Sequence, residues 1–266
     1  MPRVSVLVTC YNAAEWIAEC VESVKGQTFT DWECLIGDDA STDRTVDAAA
    51  DAAHAAADDM EGDWRFRSHV SLENRGGGEN LRKLMDLASG DIMVELGGDD
   101  FFASPDALAR IVKEYDEHPE CEATSGSFVI VPRGGVVCHK PSVLWWKNWC
   151  FAKPLTWKRD VGLRVLQDYG EAVVFEPGTG KVPRYGWDVA IYMPIVWQAK
   201  QHRTIHDILY AYREHETNDA KGHREDQVAT EMRVCKWLDE RLMPQVNMPW
   251  FRKKDTEKTD VSAAET

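Results

Sequence analysis

The sequence lacks long apolar runs. No stretch approaches the roughly 18 consecutive apolar residues of a membrane-spanning helix, and the mean hydropathy is −0.43. We therefore expect a chain that is soluble by itself. Because no secretory signal sequence opens it, we expect a cytoplasmic protein, with peripheral attachment to a membrane through the tail left open.

The sequence also lacks any CxxC pair among its seven cysteines. The odd number and scattered spacing give no sign of a disulfide framework. We therefore expect buried or free thiols in a reducing compartment.

Basic residues are the minority charge, with 31 Lys and Arg against 45 Asp and Glu and a formal net charge of −14. A strongly negative surface repels a phosphate backbone unless a local basic cleft overrides it. Nucleic acid is therefore not expected as the main partner.

Short apolar runs alternate with amphipathic segments in the N-terminal part of the chain. Strands are predicted at Val4–Val8, Cys34–Ile36, Phe66–Val70 and Ile92–Leu96. Helices are predicted between them at Ala14–Lys25, Val46–Ala57 and Asn80–Ala88. Such alternation predicts an α/β fold with a mostly parallel central sheet and helices on its faces.

The pattern loosens after a helix predicted at Asp106–Tyr115 and a strand at Thr124–Val131. A stretch rich in Trp, Gly and Pro follows through Gly186. Further elements are predicted at Asp188–Lys200 (helix), Ile205–Tyr212 (strand) and Glu225–Leu242 (helix). With no internal repeat or long linker, we predict one domain over residues 1–250 and a charged, flexible tail over residues 251–266.

Acidic residues follow two of the predicted strands, where open parallel sheets bind their ligands. Asp38 and Asp39 follow the second strand and could accept hydrogen bonds from a base or from ribose hydroxyls. Asp99 and Asp100 follow the fourth strand and could hold a divalent cation. Each cluster also has a plain structural interpretation, as a helix N-cap for the first and as a turn for Gly97–Asp100.

Several blocks of the sequence, taken in order, resemble the family 2 glycosyltransferases of the GT-A fold. The matching segments are Val4–Asn12, Ser23–Phe29, Trp32–Thr45, Asn74–Gly76, Asn80, Ala88–Asp91 and Leu96–Asp100. The resemblance implies a nucleotide-sugar-binding half over residues 1–100 and an acceptor-side half over residues 101–250.

The resemblance also assigns roles to individual residues. It implies donor nucleotide binding by Thr9, Tyr11, Asp38 and Asp39. It implies a site for Mn²⁺ or Mg²⁺ in which Asp99 is the direct ligand, Asp100 supports it, and His215 faces the metal or the diphosphate within a Tyr-Arg-x-His segment. The family's first motif aspartate is Gly97 here, so metal affinity weaker than the family norm is expected.

A third acidic position, Asp188, opens the predicted helix after Gly186. It resembles the place of the family's catalytic carboxylate, usually written Glu-Asp, although Trp187 replaces the glutamate. An acceptor hydroxyl needs a base opposite the leaving phosphate, and Asp188 is the predicted base. The alternative is a plain helix N-cap.

Tryptophan is concentrated in the loosened stretch, at Trp145, Trp146, Trp149 and Trp157, with Trp187 beyond it. Indole faces stack on the C–H faces of sugar rings, which would suit a saccharide acceptor. The alternative is that these side chains form core.

The implied function is a metal-assisted hexosyltransferase (EC 2.4) that moves a sugar from a nucleoside-diphosphate donor, foremost a UDP-sugar, to an acceptor hydroxyl with inversion. One alternative is a non-catalytic GT-A-like protein that binds a nucleotide or a glycan, suggested by Gly97 and Trp187. Another is a glycosyltransferase acting on modified DNA bases, against which the net charge argues.

Overall fold

The structure is a computed structural model that describes residues 1–54, 64–138, 153–169 and 187–216. Its strands are β1 (Val4–Cys10), β2 (Trp32–Asp38), β3 (Phe66–Val70), β4 (Ile92–Gly97), β5 (Phe101–Phe102), β6 (Ala123–Val131), β7 (Gly135–Cys138), β8 (Leu155–Lys158) and β9 (His202–Arg213). Its helices are α1 (Ile17–Lys25), α2 (Thr45–His54), α3 (Gly77–Leu87), α4 (Ala107–Glu117), α5 (Arg159–Tyr169) and α6 (Trp187–Gln198).

The strands of the described residues form one nine-stranded sheet in the order β3-β2-β1-β4-β8-β6-β9-β5, with β7 paired to β6. β1 to β4 run parallel, and β8 is antiparallel to both of its neighbours. β9 runs parallel to β6, so its C-terminal end lies at the same edge as those of β1 to β4. The predicted α/β architecture with a mostly parallel sheet is confirmed.

Helices cover both faces of the sheet. Val4, Val6 and Val8 of β1 pack into one layer with α1, α2 and α4. Leu7 points the other way, into a layer with α3, α5 and α6. The alternation follows from the two-residue period of a strand, and burial on both faces explains why β1 and β4 are largely apolar.

The buried carboxylate of Glu33 links several segments of the chain at the N-terminal ends of these strands. Glu33 accepts hydrogen bonds from the Ser5 hydroxyl (2.6 Å), the Ser89 amide (2.7 Å) and the Ser89 hydroxyl (2.8 Å), and it pairs with Arg67. The Gly90 amide donates to the Ser5 hydroxyl at 2.8 Å. The segment Ala88–Asp91 therefore lies at the opposite end of β4 from Asp99, and its described contacts there are structural.

Three described elements lie where the sequence pattern loosens and were not predicted: β7, β8 and α5. β8 is short and carries Thr and Lys beside Leu155 and Trp157, so it has no apolar run. α5 contains Gly162, which lowers its helix propensity. A β-carbon at Gly162 would stand 2.6 Å from Nε1 of Trp157, so close packing explains the glycine.

Other predictions fall outside the described residues: the end of the second helix, the tryptophans at 145, 146 and 149, the helix over 225–242 and the tail over 251–266. Trp157 is described and is fully buried in the core. Within the described ranges, no helix combines the length and apolar character needed to cross a membrane.

Candidate active site

The turn after β4 is fitted against the end of β1. The Gly98 amide donates to the Thr9 carbonyl at 2.8 Å, and the Asp100 amide donates to the Gly97 carbonyl at 3.0 Å. A β-carbon on Gly98 would stand 2.5 Å from Cβ of Cys10, which explains the glycine. The turn gives its two aspartates very different surroundings.

Asp99 is the accessible aspartate of the turn, with 34% of its side chain exposed. Its Oδ2 lies 3.1 Å from Nε2 of His215, and the His215 ring stacks on Trp16 at 4.0 Å. Burial acts to raise the pKa of Asp99, but the hydrogen bond from His215 and the charge of Lys153 outweigh it, so its pKa is lowered. The turn thus presents an ionised carboxylate beside an imidazole.

Asp100 is buried, with 2% exposure, and both of its oxygens are bonded within the protein. Oδ2 accepts from the Tyr210 hydroxyl at 2.5 Å, and Oδ1 accepts from the Arg213 amide at 2.8 Å. Burial, together with the charge of Asp99, raises the pKa of Asp100 to about 7. These bonds attach the turn to the end of β9.

Lys153 is a component of the site that sequence reasoning missed. Its Nζ donates to the Tyr210 hydroxyl at 3.1 Å and lies 3.6 Å from Glu95 Oε2 and 3.7 Å from Asp100 Oδ2. Burial acts to lower the pKa of Lys153, but the charges of Glu95 and Asp100 raise it above its usual value. Lys153 belongs to none of the sequence motifs. Its partners Glu95, Asp100 and Tyr210 lie far from it in the sequence, so spacing alone could not link it to the site.

The two aspartates after β2 organise loops. Asp38 accepts from the Ser41 amide at 2.9 Å and from the Ser41 hydroxyl. Asp39 accepts from the amides of Arg75 (3.0 Å) and Gly76 (2.6 Å), immediately before α3. Each aspartate is 3% exposed. Asp38 closes its own turn, whereas Asp39 fixes the loop between β3 and α3.

The loops after β1 and β2 are bonded to each other. The Asn12 side-chain oxygen accepts from the Thr42 amide at 2.9 Å, and the Asn12 amide donates to the Ser41 hydroxyl at 2.8 Å. Asp43 caps α2 by accepting from the Thr45 amide at 3.0 Å. Beside this framework, Tyr11 keeps 48% of its surface exposed.

Asp188 lies in the first turn of α6, next to Trp187. Trp187 packs on Gly77, where a β-carbon would stand 2.6 Å from its indole ring. The charge of Asp188 also contributes to raising the pKa of Lys153. The start of α6 therefore lies beside the start of α3.

The structure thus brings the predicted residues to one edge of the sheet. Thr9 and Asp38 lie at the C-terminal ends of β1 and β2, and Tyr11 and Asp39 come directly after them. Asp99 and Asp100 follow β4, and His215 follows β9. In the described part of the chain, no three His, Cys, Asp or Glu side chains are grouped to hold a metal ion. Asp99 and His215 nevertheless form an adjacent oxygen and nitrogen donor pair, which fits a divalent cation that takes its other ligands from diphosphate and water.

Comparison with known proteins identifies the family. The family model "Glycosyl transferase family 2" matches residues 5–165. The chain belongs to glycosyl transferase family 2. It is 28% identical over 135 residues to the putative glycosyltransferase EpsE of Bacillus subtilis, covering 51% of this chain and 46% of that relative. The chain thus spans about half the length of this curated relative.

Solved structures agree on the fold. The chain is similar to S. aureus TarS 1–349 in complex with UDP-GlcNAc, with a TM-score of 0.67, 16% identity, and coverage of 92% of this chain and 68% of the other. It is also similar to the mannosyltransferase PcManGT from Pyrobaculum calidifontis in complex with GDP-Man and Mn²⁺, with a TM-score of 0.63, 21% identity, and coverage of 90% and 64%. The family 2 chain therefore has the GT-A fold.

Proposed function

We propose that this family 2 chain transfers a sugar, a hexose in the first instance, from a nucleoside-diphosphate donor to an acceptor hydroxyl with inversion. The observation that carries the proposal is the Asp99–His215 pair at the ligand-binding edge of a GT-A sheet, 3.1 Å apart. The turn that carries Asp99 is bonded to the end of β1, where the Gly98 amide donates to the Thr9 carbonyl at 2.8 Å.

The donor nucleotide is proposed to bind over the loops after β1 and β2. The half-exposed Tyr11 ring offers a face on which a base can stack. Asp39 is 3% exposed and already accepts hydrogen bonds from two amides, so it is proposed to act chiefly by fixing the loop against which the nucleotide binds, with its remaining acceptor capacity open to a base or ribose donor. Thr9 and Asp38 set the positions of the surrounding turns. A UDP-sugar is the proposed donor, since TarS was solved with UDP-GlcNAc.

Asp99 and His215 are the residues proposed to hold Mn²⁺ or Mg²⁺, with Asp100 supporting the turn. The cation would supply charge neutralisation for a departing diphosphate. The structure of PcManGT with GDP-Man and Mn²⁺ supports this choice of metal. The chain's own contribution is to orient Asp99 through Arg213, whose Nε donates to the Asp99 carbonyl at 2.9 Å.

Asp188 is the proposed general base for the acceptor hydroxyl. Its position in the first turn of α6 places its carboxylate near the positive end of the helix dipole, which favours the ionised form that a base requires. A base on the face opposite the leaving phosphate gives direct displacement and inversion. We propose that residues 101–250 provide the acceptor side, with a saccharide as the first acceptor class to test.

The proposal is tested by calorimetric titration of UDP, GDP and dTDP into the protein, with and without Mn²⁺. The variant is Asp99→Ala, and the matched control is Asp91→Ala, an exposed aspartate at the other end of β4. We expect Mn²⁺-dependent binding of one nucleotide that Asp91→Ala keeps and Asp99→Ala loses.

Other outcomes separate the alternatives. Nucleotide binding without hydrolysis of any donor sugar would favour a non-catalytic binding protein, as the Gly97 and Trp187 departures suggest. Absence of binding to all three nucleotides would contradict the proposed function. Binding to DNA that weakens steeply with salt would instead favour a nucleic-acid acceptor.

A further inference from the structure

We propose that Lys153 is a positioning residue of the metal site, which pairs with Asp100 and so leaves Asp99 and His215 as the protein groups that face the cation. The inference rests on the proposed function, because it concerns how this chain prepares its site for a metal. It gives a role to a lysine that belongs to none of the matching motifs.

The geometry separates the two aspartates of the turn. Asp100 is 2% exposed, and its oxygens already accept from Tyr210 and from the Arg213 amide. The ammonium of Lys153 lies 3.7 Å from Asp100 Oδ2 and binds the same Tyr210 hydroxyl. Asp99, by contrast, has a third of its side chain exposed. Only Asp99 of the pair is accessible enough to meet an incoming cation.

Lys153 also serves a second buried carboxylate. Glu95 is 1% exposed and lies on β4, and its Oε2 is 3.6 Å from the Lys153 ammonium. A buried charge is strongly unfavourable unless it is paired. In the part of the chain that the structure describes, the negative charges of Glu95 and Asp100 both face the Lys153 ammonium behind the site. The lysine lowers that negative charge without occupying the accessible face of Asp99.

Gly97 is consistent with this arrangement. A β-carbon at position 97 would stand 2.8 Å from Asp99 Oδ1 and 2.9 Å from Asp100 Oδ2. A side chain there would crowd both carboxylates, and an aspartate would add a further negative charge to the cluster. The glycine leaves the turn compact enough for Asp100 to reach Tyr210 while Asp99 reaches His215.

The test is a double-mutant cycle in which the affinity of the protein for Mn²⁺ is measured without nucleotide. Wild type, Asp100→Asn, Lys153→Met and the double variant are titrated with Mn²⁺, and free Mn²⁺ is followed by its electron paramagnetic resonance signal. At a pH above the pKa of about 7 of Asp100, Asp100→Asn removes a negative charge close to the site, so we expect its Mn²⁺ affinity to fall roughly tenfold or more. The double variant restores the net charge of the cluster, and we expect its affinity to return to within about threefold of wild type.

The opposite result would overturn the proposal. If Asp100 is itself a ligand, the double variant will bind Mn²⁺ as poorly as Asp100→Asn. Absence of Mn²⁺ binding by wild type at millimolar concentration would also overturn it. Lys153→Arg keeps the charge and should bind like wild type, and thermal unfolding of each variant checks that it folds. Because no nucleotide is present, these outcomes are independent of whether the chain binds a nucleotide-sugar.

Discussion

The indole of Trp187 rests against Gly77, where a β-carbon would stand 2.6 Å from the ring. Gly77 begins α3, and the residue before it, Gly76, donates its amide to Asp39 at 2.6 Å. Trp187 begins α6 and is followed by Asp188. The contact therefore joins the proposed donor-binding loop to the helix that carries the proposed base.

Gly77→Ala should disturb this junction. The added methyl group overlaps the indole, so we expect the free energy of unfolding to fall by about 1–3 kcal/mol. We also expect kcat to fall roughly tenfold or more, because a small displacement of a base is costly. Steady-state kinetics and denaturant unfolding measure both effects. A smaller ring should restore space, so Gly77→Ala combined with Trp187→Phe should recover part of kcat; no recovery would contradict a steric link.

Asp188→Asn should impair chemistry and spare donor binding. The amide keeps the size of the aspartate but cannot accept the proton, so we expect kcat to fall by roughly a hundredfold or more with little change in nucleotide affinity. Asp160→Asn is the control, because Asp160 occupies the first turn of α5 and is 67% exposed. An equal loss in both variants, or normal turnover in Asp188→Asn, would leave Asp188 with only a structural role in the first turn of α6.

The N-terminal half of the fold was predictable because its signals are local. β1, β2 and β4 each contain a buried apolar run, and the helices between the first four strands carry apolar residues at helical spacing. β8 and α5 were missed because a four-residue strand and a helix containing Gly162 lack such signals. Their positions depend on packing of Trp157, which is a tertiary effect.

The candidate site, too, was predictable from the sequence only in part. The four acidic residues Asp38, Asp39, Asp99 and Asp100 stand at the C-terminal ends of strands or just after them, so their approximate location follows from sequence. Their different surroundings do not, because the partners of Asp100 come from β9 and from Lys153, which lies 53 positions away. Motif position therefore predicts which residues reach the edge of the sheet, and burial decides which of them remain accessible.

Gly97→Asp, which restores the usual family residue, should not improve this chain. The new β-carbon would lie within 3 Å of both carboxylates of the turn, at 2.8 and 2.9 Å, and the new charge would repel them. We expect the free energy of unfolding to fall by about 1–3 kcal/mol, measured by thermal or denaturant unfolding. Gly97→Ala tests crowding alone and should be the milder change. A stabilised Gly97→Asp would show that the turn has room for a third carboxylate.

Because of Glu33, we expect the free energy of unfolding to depend on pH in the acid range. Burial acts to raise its pKa, but hydrogen bonds from Ser5 and Ser89 and the charge of Arg67 outweigh it, so its pKa is lowered in the folded state. A lowered carboxylate pKa contributes stability above the unfolded value of about 4.3, and this stability is lost as pH falls through the folded value.

Glu33→Gln removes this titration. We expect a loss of about 1–3 kcal/mol in unfolding free energy at pH 7, because the paired charge and its hydrogen bonds are weakened. We also expect a smaller decline in stability between pH 6 and pH 3 than in wild type, measured as a series of melting temperatures. Parallel declines in the two proteins would mean that Glu33 does not contribute to acid sensitivity.

His215→Phe should separate metal binding from packing. A phenyl ring can keep the stacking on Trp16, whose ring centroid lies 4.0 Å from that of His215, but it has no nitrogen for a metal. We expect little change in unfolding free energy and a roughly tenfold or greater loss of Mn²⁺ affinity in the presence of the nucleotide. His118→Phe is the control, because His118 is a partly exposed histidine at the end of α4 that lies 3.8 Å from Glu114 and from Glu120. If His215→Phe binds Mn²⁺ as well as His118→Phe does, the His215 imidazole orients Asp99 without binding the metal. Of the two proposed ligands, Asp99 alone would then bind the cation.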